Sequence, residues 1–162
     1  MHSSHKLHLF ITILSSSLLS CNVVNGLKPA QYLRPHNAAR AAVGLPPLVW
    51  DARLAGYANW YANQRRGDCR LVHSHGPFGE NLFWGSGTGW SPAQAVGAWV
   101  QERQRYNYWT NSCRGVCGHY TQIVWRNTKR LGCAMVNCYS RRGTFVVCSY
   151  DPPGNYVGMK PY

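Results

Sequence analysis

Three rhythms of apolar and polar residues follow one another along the chain. The first is a run from Leu9 to Leu19 interrupted by serines, behind a basic start (His2, His5, Lys6, His8) and ahead of small residues at Val24-Asn25-Gly26. That order fits a secretory leader, and the run is too short and too serine-broken to span a membrane. Residues 1–26 are expected to be removed, leaving 27–162 as one domain. The second rhythm is helical. Pro35 to Val43 reads as a helix with proline in its first turn and Gly44 at its end. Asp51 can cap a second helix whose stripe is Leu54, Tyr57, Ala58, Tyr61 and Ala62. Ser91-Pro92 opens a third, on which Ala95, Trp99 and Glu102 share a face. The third rhythm is that of strands: Thr121 to Trp125, Leu131 to Asn137 and Thr144 to Tyr150 are short β-branched and aromatic runs divided by turn residues. The Gly/Pro-rich stretch from His73 to Trp90 reads as loop, and the tail 152–162 as irregular. Helices first and strands last predict an α+β layered domain.

Charge sharpens this picture. Seventeen Lys and Arg stand against five Asp and Glu, a formal net charge of +12. For an exported chain, such a surface suggests acidic wall polysaccharide or an anionic membrane surface as partner, and no nucleic acid. Arginine or lysine doublets stand at Arg65-Arg66, Lys129-Arg130 and Arg141-Arg142. Cys21 leaves with the leader, and the six remaining cysteines imply three disulfides, whose connectivity spacing alone does not settle. Zinc is the competing use of Cys113-x₃-Cys117 and Cys133-x₄-Cys138, poorly suited to an oxidising compartment.

With so few acids, their positions carry information. Glu80 follows two histidines in 73-HSHGPFGEN-81, and Glu102 lies on the inward stripe of the third helix. A carboxylate kept beside imidazoles suggests a shared site for a metal or for proton transfer.

The segments 36-HNAAR-40, 79-GENL-82, 99-WVQE-102, 118-GHYTQIVWRNT-128 and 148-CSYDPPGNYVG-158 occur in the order of one family. The chain from Pro29 to Tyr162 resembles the CAP superfamily of cysteine-rich secretory, antigen-5 and pathogenesis-related proteins, above all the plant pathogenesis-related class 1 proteins. The resemblance implies a three-layer α-β-α sandwich with pairings Cys69–Cys138, Cys113–Cys117 and Cys133–Cys148. It also implies that His73, Glu80, Glu102 and His119 meet in a central cleft. His75 adjoins that motif without aligning to it, and His36 is expected to be structural.

Those four residues suit a divalent metal such as zinc, held by His73 and His119 with Glu80 and Glu102 beside them; no cofactor is expected to be obligatory. A metal with an open position could activate water, which makes a metal-dependent hydrolase the rival functional reading. Against it, the ligands are scattered and no confident nucleophile set stands out, so no catalytic residue is assigned and the protein is not expected to be an enzyme. The stretch 82-LFWGSGTGW-90 reads as a mobile lid whose Phe83, Trp84 and Trp90 could cover a flat apolar ligand. By resemblance, that ligand is a sterol or another lipid of microbial membranes. The resemblance further implies that a C-terminal signalling peptide can be cut free between Asp151 and Pro152. The expectation is a monomeric, extracellular defence protein of the plant apoplast, with antimicrobial, including antifungal, action.

Overall fold

The computed structural model of the chain describes residues 17–139 and 142–162 of the backbone, with side chains from residue 29 onward. Most of the expected leader and Arg141 of the third basic doublet lie outside the described residues.

A four-stranded sheet in the order β1-β5-β6-β2 forms the middle layer. Its strands are β1 (Val49–Trp50), β2 (Gly79–Ser86), β5 (Arg130–Asn137) and β6 (Gly143–Asp151). β1 runs parallel to β5, whereas β6 is antiparallel to both β5 and β2. Successive side chains of a strand point to opposite faces, and β6 shows the result. Its Phe145 and Val147 join Ala58, Tyr61 and Ala62 of α2 (Ala52–Gln64), while Val146, Cys148 and Tyr150 join the opposite core with Ala39, Val96, Trp99 and Ile123. The first core lies under α2 alone. The second lies under α1 (Ser17–Ala41), α3 (Pro92–Gln101) and α4 (Gly118–Ile123). This is the expected α-β-α sandwich. Among the described residues, no helix is long and apolar enough to cross a membrane.

Local chemistry sets the helix starts. The Asp51 carboxylate accepts from the Arg53 and Leu54 amides at the head of α2. Ser91 and Gln94 form a reciprocal capping box on α3, with Pro92 just inside it, satisfying donors that a helix start leaves unpaired. α2 lies close on the sheet because position 132 is glycine: a Cβ there would fall 2.1 Å from the Ala55 nitrogen. The three disulfides are Cys69–Cys138, Cys113–Cys117 and Cys133–Cys148, as the resemblance implied.

Four local expectations are corrected. The first helix does not begin at Pro35 but runs from Ser17 through Pro29 and Pro35 to Ala41. Proline has a helical φ, and the carbonyl it leaves unpaired at position 35 belongs to exposed Gln31, within reach of water. Thr121 to Trp125 is not a strand: its first residues belong to α4. Tyr120, Ile123 and Val124 are buried at spacings of three and four, a helical period that the β-branched composition masked. Glu102 does not lie within the third helix but caps its end and opens a 3₁₀ turn, Glu102–Arg105. The stretch from Gly79 to Ser86 is not loop but strand β2, paired along its whole length with β6. A two-stranded ribbon, β3 (Tyr106–Asn107) with β4 (Ser112–Cys113), follows the 3₁₀ turn.

Candidate functional site

Where the strand ends of the sheet meet α4, the four residues singled out in the sequence form two hydrogen-bonded couples. His73 Nδ1 donates to Glu80 Oε1 at 2.8 Å, and the Ser74 amide donates to the same oxygen at 2.9 Å. His119 Nδ1 donates to Glu102 Oε1 at 2.6 Å. The other Glu102 oxygen accepts from the backbone amides of His119 and Tyr120. Glu102 thus holds both the ring of His119 and the amides at the start of the helix that carries it. The His119 ring also stacks on Trp99, with centroids 6.0 Å apart.

The couples are bridged by a residue that the sequence reading passed over. Asn81, next to Glu80, donates to the His119 carbonyl at 3.0 Å and to the Tyr150 hydroxyl at 3.0 Å. Tyr150 in turn donates to His36 Nε2, whose Nδ1 donates to the Tyr32 carbonyl. Burial holds the His36 imidazole down at a pKa of about 4, so it is neutral and structural, as expected. Asn81 stands inside the quoted 79-GENL-82, and a buried tyrosine ending an apolar strand needs a polar partner; those two signals could have found the chain of bonds.

Electrostatics separate the partners of the first couple. The hydrogen bond to Glu80 raises the His73 pKa, outweighing partial burial. Burial pushes the Glu80 carboxyl up, but hydrogen bonds from His73 and Ser74 reverse this and hold it below its ordinary value. One oxygen is left over: Glu80 Oε2 is buried and has no hydrogen-bond partner among the described residues. His75, beside the couple, has a left-handed backbone (φ 56°) and pairs with no carboxylate among the described residues.

The residues suit a divalent metal in part. Each imidazole has its Nδ1 committed to a carboxylate, the arrangement that aims Nε2 at a metal, and Glu80 Oε2 is an unused anionic donor. Among the described residues, however, no group of three or more His, Cys, Asp or Glu side chains gathers closely enough to hold an ion on its own. A metal here would be held by His73 and His119 through Nε2, with Glu80 beside them, and would leave positions open.

The aromatic lid expected at 82–90 is divided by β2. Phe83 packs toward the α3 core and meets Trp90 edge to face at 4.9 Å, whereas Trp84 points to the other face, 42% exposed, against Gly143. A more enclosed apolar space lies elsewhere. A cavity of about 280 Å³ opens beside β5 beyond the short β1, lined by Tyr32, Trp50, Pro92, Ala134 and Met135. Tyr32 and Trp50 stack there at 5.9 Å.

The tail is anchored at both ends, while Val157 between them is fully exposed. Asp151 pairs with Arg130, Thr128 donates to the Pro152 carbonyl, the Gly154 amide donates to Gln122, and the Arg126 amide donates to the Pro161 carbonyl. All five acids are thus committed: Asp51 and Asp151 to Arg130, Asp68 to Arg65, and the two glutamates to histidines.

The family model described as CAP, cysteine-rich secretory protein family, matches residues 33–150. The chain is 66% identical over 134 residues to the pathogenesis-related protein PR-1 of Medicago truncatula, covering 82% of this chain and 78% of that protein. It is 53% identical over 159 residues to a pathogenesis-related protein 1 of Arabidopsis thaliana, covering 98% and 96%. Among solved structures, NaASP2 crystallised with Zn²⁺ superposes with a TM-score of 0.69 at 27% identity, covering 83% of this chain and 84% of that one.

Proposed function

Since the chain belongs to the cysteine-rich secretory protein family and its plant relatives are pathogenesis-related proteins, we propose that this protein is exported to the plant cell exterior and defends by binding: it withdraws sterol or a similar lipid from microbial membranes. The observation that supports this reading is the cavity beside β5. Its lining is mostly aromatic and aliphatic, and its size lies near the lower end of ligand pockets, about 300–1,000 Å³. That suits an acyl chain or the alkyl tail of a sterol. The Phe83 and Trp90 pair is occupied with the core, so the lipid site moves from the expected lid to Tyr32, Trp50 and Met135; only Trp84 keeps an exposed ring. Binding is favoured over catalysis because all six cysteines of the domain are oxidised.

The test is equilibrium binding of a labelled sterol and a labelled fatty acid to the secreted protein, with and without EDTA, alongside Ala134→Trp, which fills the cavity. Saturable binding that ignores EDTA and is lost in Ala134→Trp is expected. Binding unchanged in that variant, or no binding at all, overturns the reading.

A second reading has its own observation. Glu80 Oε2, buried and unpartnered beside the His73 couple, supports a weak site for zinc at His73 and His119, the metal present in the crystals of the NaASP2 relative. It is an accessory to binding, with the metal-dependent hydrolase as the alternative. Zinc titration by calorimetry should show heat that vanishes in His73→Gln; equal heat in both proteins rejects the site. Release of the tail at Asp151–Pro152 is a further proposed role, and it requires the Arg130, Thr128 and Arg126 contacts to open first.

A further inference from the structure

A groove of about 430 Å³ lies along the ribbon β3–β4, where the 3₁₀ turn runs into it. Two guanidinium groups set its character. Arg105 and Arg114 line it together with Gln104, Asn107, Tyr108 and Trp109, and no acid does. The two arginines continue the ribbon's register, because the Arg114 amide donates to the Arg105 carbonyl at 2.9 Å. Like charges directly opposite each other on paired strands repel and destabilise. A carboxylate between them would normally relieve that cost. Here all five acids of the chain are paired elsewhere, and among the described residues neither guanidinium has an ion-pair partner.

The same groove presents an indole to solvent. Trp109 is 85% exposed, at the tip of the ribbon. It is not a loose side chain on a loose loop. Tyr108 lies edge to face with it at 5.6 Å and stacks on Tyr162 at 4.7 Å; Lys160 sits over the Tyr108 ring and donates to the Trp109 carbonyl. The Cys113–Cys117 bridge fixes the other strand. A rigid flat apolar face thus stands beside two unneutralised guanidinium forks and the amides of Gln104 and Asn107.

One ligand chemistry uses all of these. A uronic-acid sugar carries a carboxylate that an arginine fork grips in two places. The C–H face of its ring lies against an indole, and its hydroxyls meet side-chain amides. We propose that this groove binds a uronic-acid oligosaccharide, with Arg105 and Arg114 holding carboxylates of the chain and Trp109 covering a sugar face. This goes beyond the lipid reading and does not depend on it, because the two sites share no residue.

The experiment is calorimetry of the secreted, disulfide-bonded protein with a galacturonate oligomer, and with the same oligomer methyl-esterified. Arg105→Ala/Arg114→Ala, Trp109→Ala and a distant pair of exposed arginines, Arg53→Ala/Arg70→Ala, are compared. We expect saturable binding that esterification abolishes, weakened roughly ten-fold or more by either groove variant and little by the distant pair. The Arg105→Ala/Arg114→Ala protein should also unfold at an unchanged or higher denaturant concentration, since it loses a repulsion; this keeps a binding loss from being mistaken for misfolding. The proposal is overturned if both arginine pairs cost the same affinity, which means attraction by net charge alone. It is equally overturned if the ester binds as well as the acid. Groove variants that lose binding to phosphatidylserine vesicles while keeping the oligomer would reassign the surface to membranes.

Discussion

Arg40 is a fully buried cation with no carboxylate partner among the described residues, and its replacement by Met gives the sharpest stability prediction. Its guanidinium donates to four carbonyls: Pro46 at 2.8 Å, Ile123 at 3.0 Å, Trp125 at 2.8 Å and Thr128 at 3.2 Å. Three of these lie in the turn that leaves α4. Met keeps most of the volume but removes every donor. Each bond from a charged group is worth about 1.5–3 kcal/mol. The sum overstates the loss, because the buried cation itself carries a desolvation cost that disappears with it. A buried carbonyl left without a donor costs about 1–3 kcal/mol, and with the relief of desolvation set against four of them, about 4 kcal/mol is the expectation for Arg40→Met. At a urea slope of about 2 kcal/mol/M, that moves the midpoint down by about 2 M. Arg40→Lys supplies a charge without the fork and should lose about half as much. Urea unfolding followed by tryptophan fluorescence, with the disulfides intact, reads both. A loss below about 1 kcal/mol for Arg40→Met would refute the reasoning, since the four carbonyls would then have found other donors at little cost.

Three further outcomes are expected. Gly132→Ala places a methyl 2.1 Å from the Ala55 nitrogen and 2.4 Å from the Leu54 carbonyl carbon, so it should either fail to accumulate or lose about 3 kcal/mol; a wild-type melting curve contradicts the close approach of α2. Replacing Cys69 and Cys138 together by Ser opens a loop with a sequence separation of 69 and should cost about 4 kcal/mol by chain entropy, read as a lowered urea midpoint; no loss would mean the bridge is strained in the fold. The His73 pKa is raised by Glu80, so its contribution to stability is full below about pH 6.5 and is lost as pH rises through the folded value. Histidine NMR titration in EDTA should show the raised value returning toward about 6.5 in Glu80→Gln, and an unmoved titration would dismiss the pairing.

Much of this fold can be read from the chain, for local reasons. Asp51 and Ser91 announce helix starts because capping is a short-range contact between neighbours in sequence. β5 and β6 are evident because strands buried on both faces read as continuous apolar runs. β2 is hidden because Gly79, Gly85 and the residues around them resemble loop; what makes it a strand is pairing with β6, from Gly79 with Tyr150 to Ser86 with Gly143, far along the sequence. α4 is hidden for the converse reason: in six residues the β-branched content outweighs a period that only the packing reveals. At the candidate site, scarcity of acids was the signal that worked. It marked Glu80 and Glu102 but said nothing of their arrangement as two couples joined through Asn81, which depends on how the head of α4 meets the start of β2. The Tyr32–Trp50 cavity had no local signal, because its walls come from the first helix, the short β1 and an open stretch of β5.

β6 is hydrogen-bonded on both edges, covered on both faces, and bridged from Cys148 to the neighbouring strand. No part of the molecule can therefore peel away with a core of its own, since each layer loses its wall when this strand leaves. In the extracellular setting proposed above, no chaperone rescues an opened chain, and proteases remove it. The working lifetime of the protein is then set by how rarely the entire domain opens, a rate instead of an equilibrium. A digestion time course in excess protease should accordingly show intact domain disappearing as a single exponential with no trimmed core accumulating, and the slope of that decay is the molecule's clock.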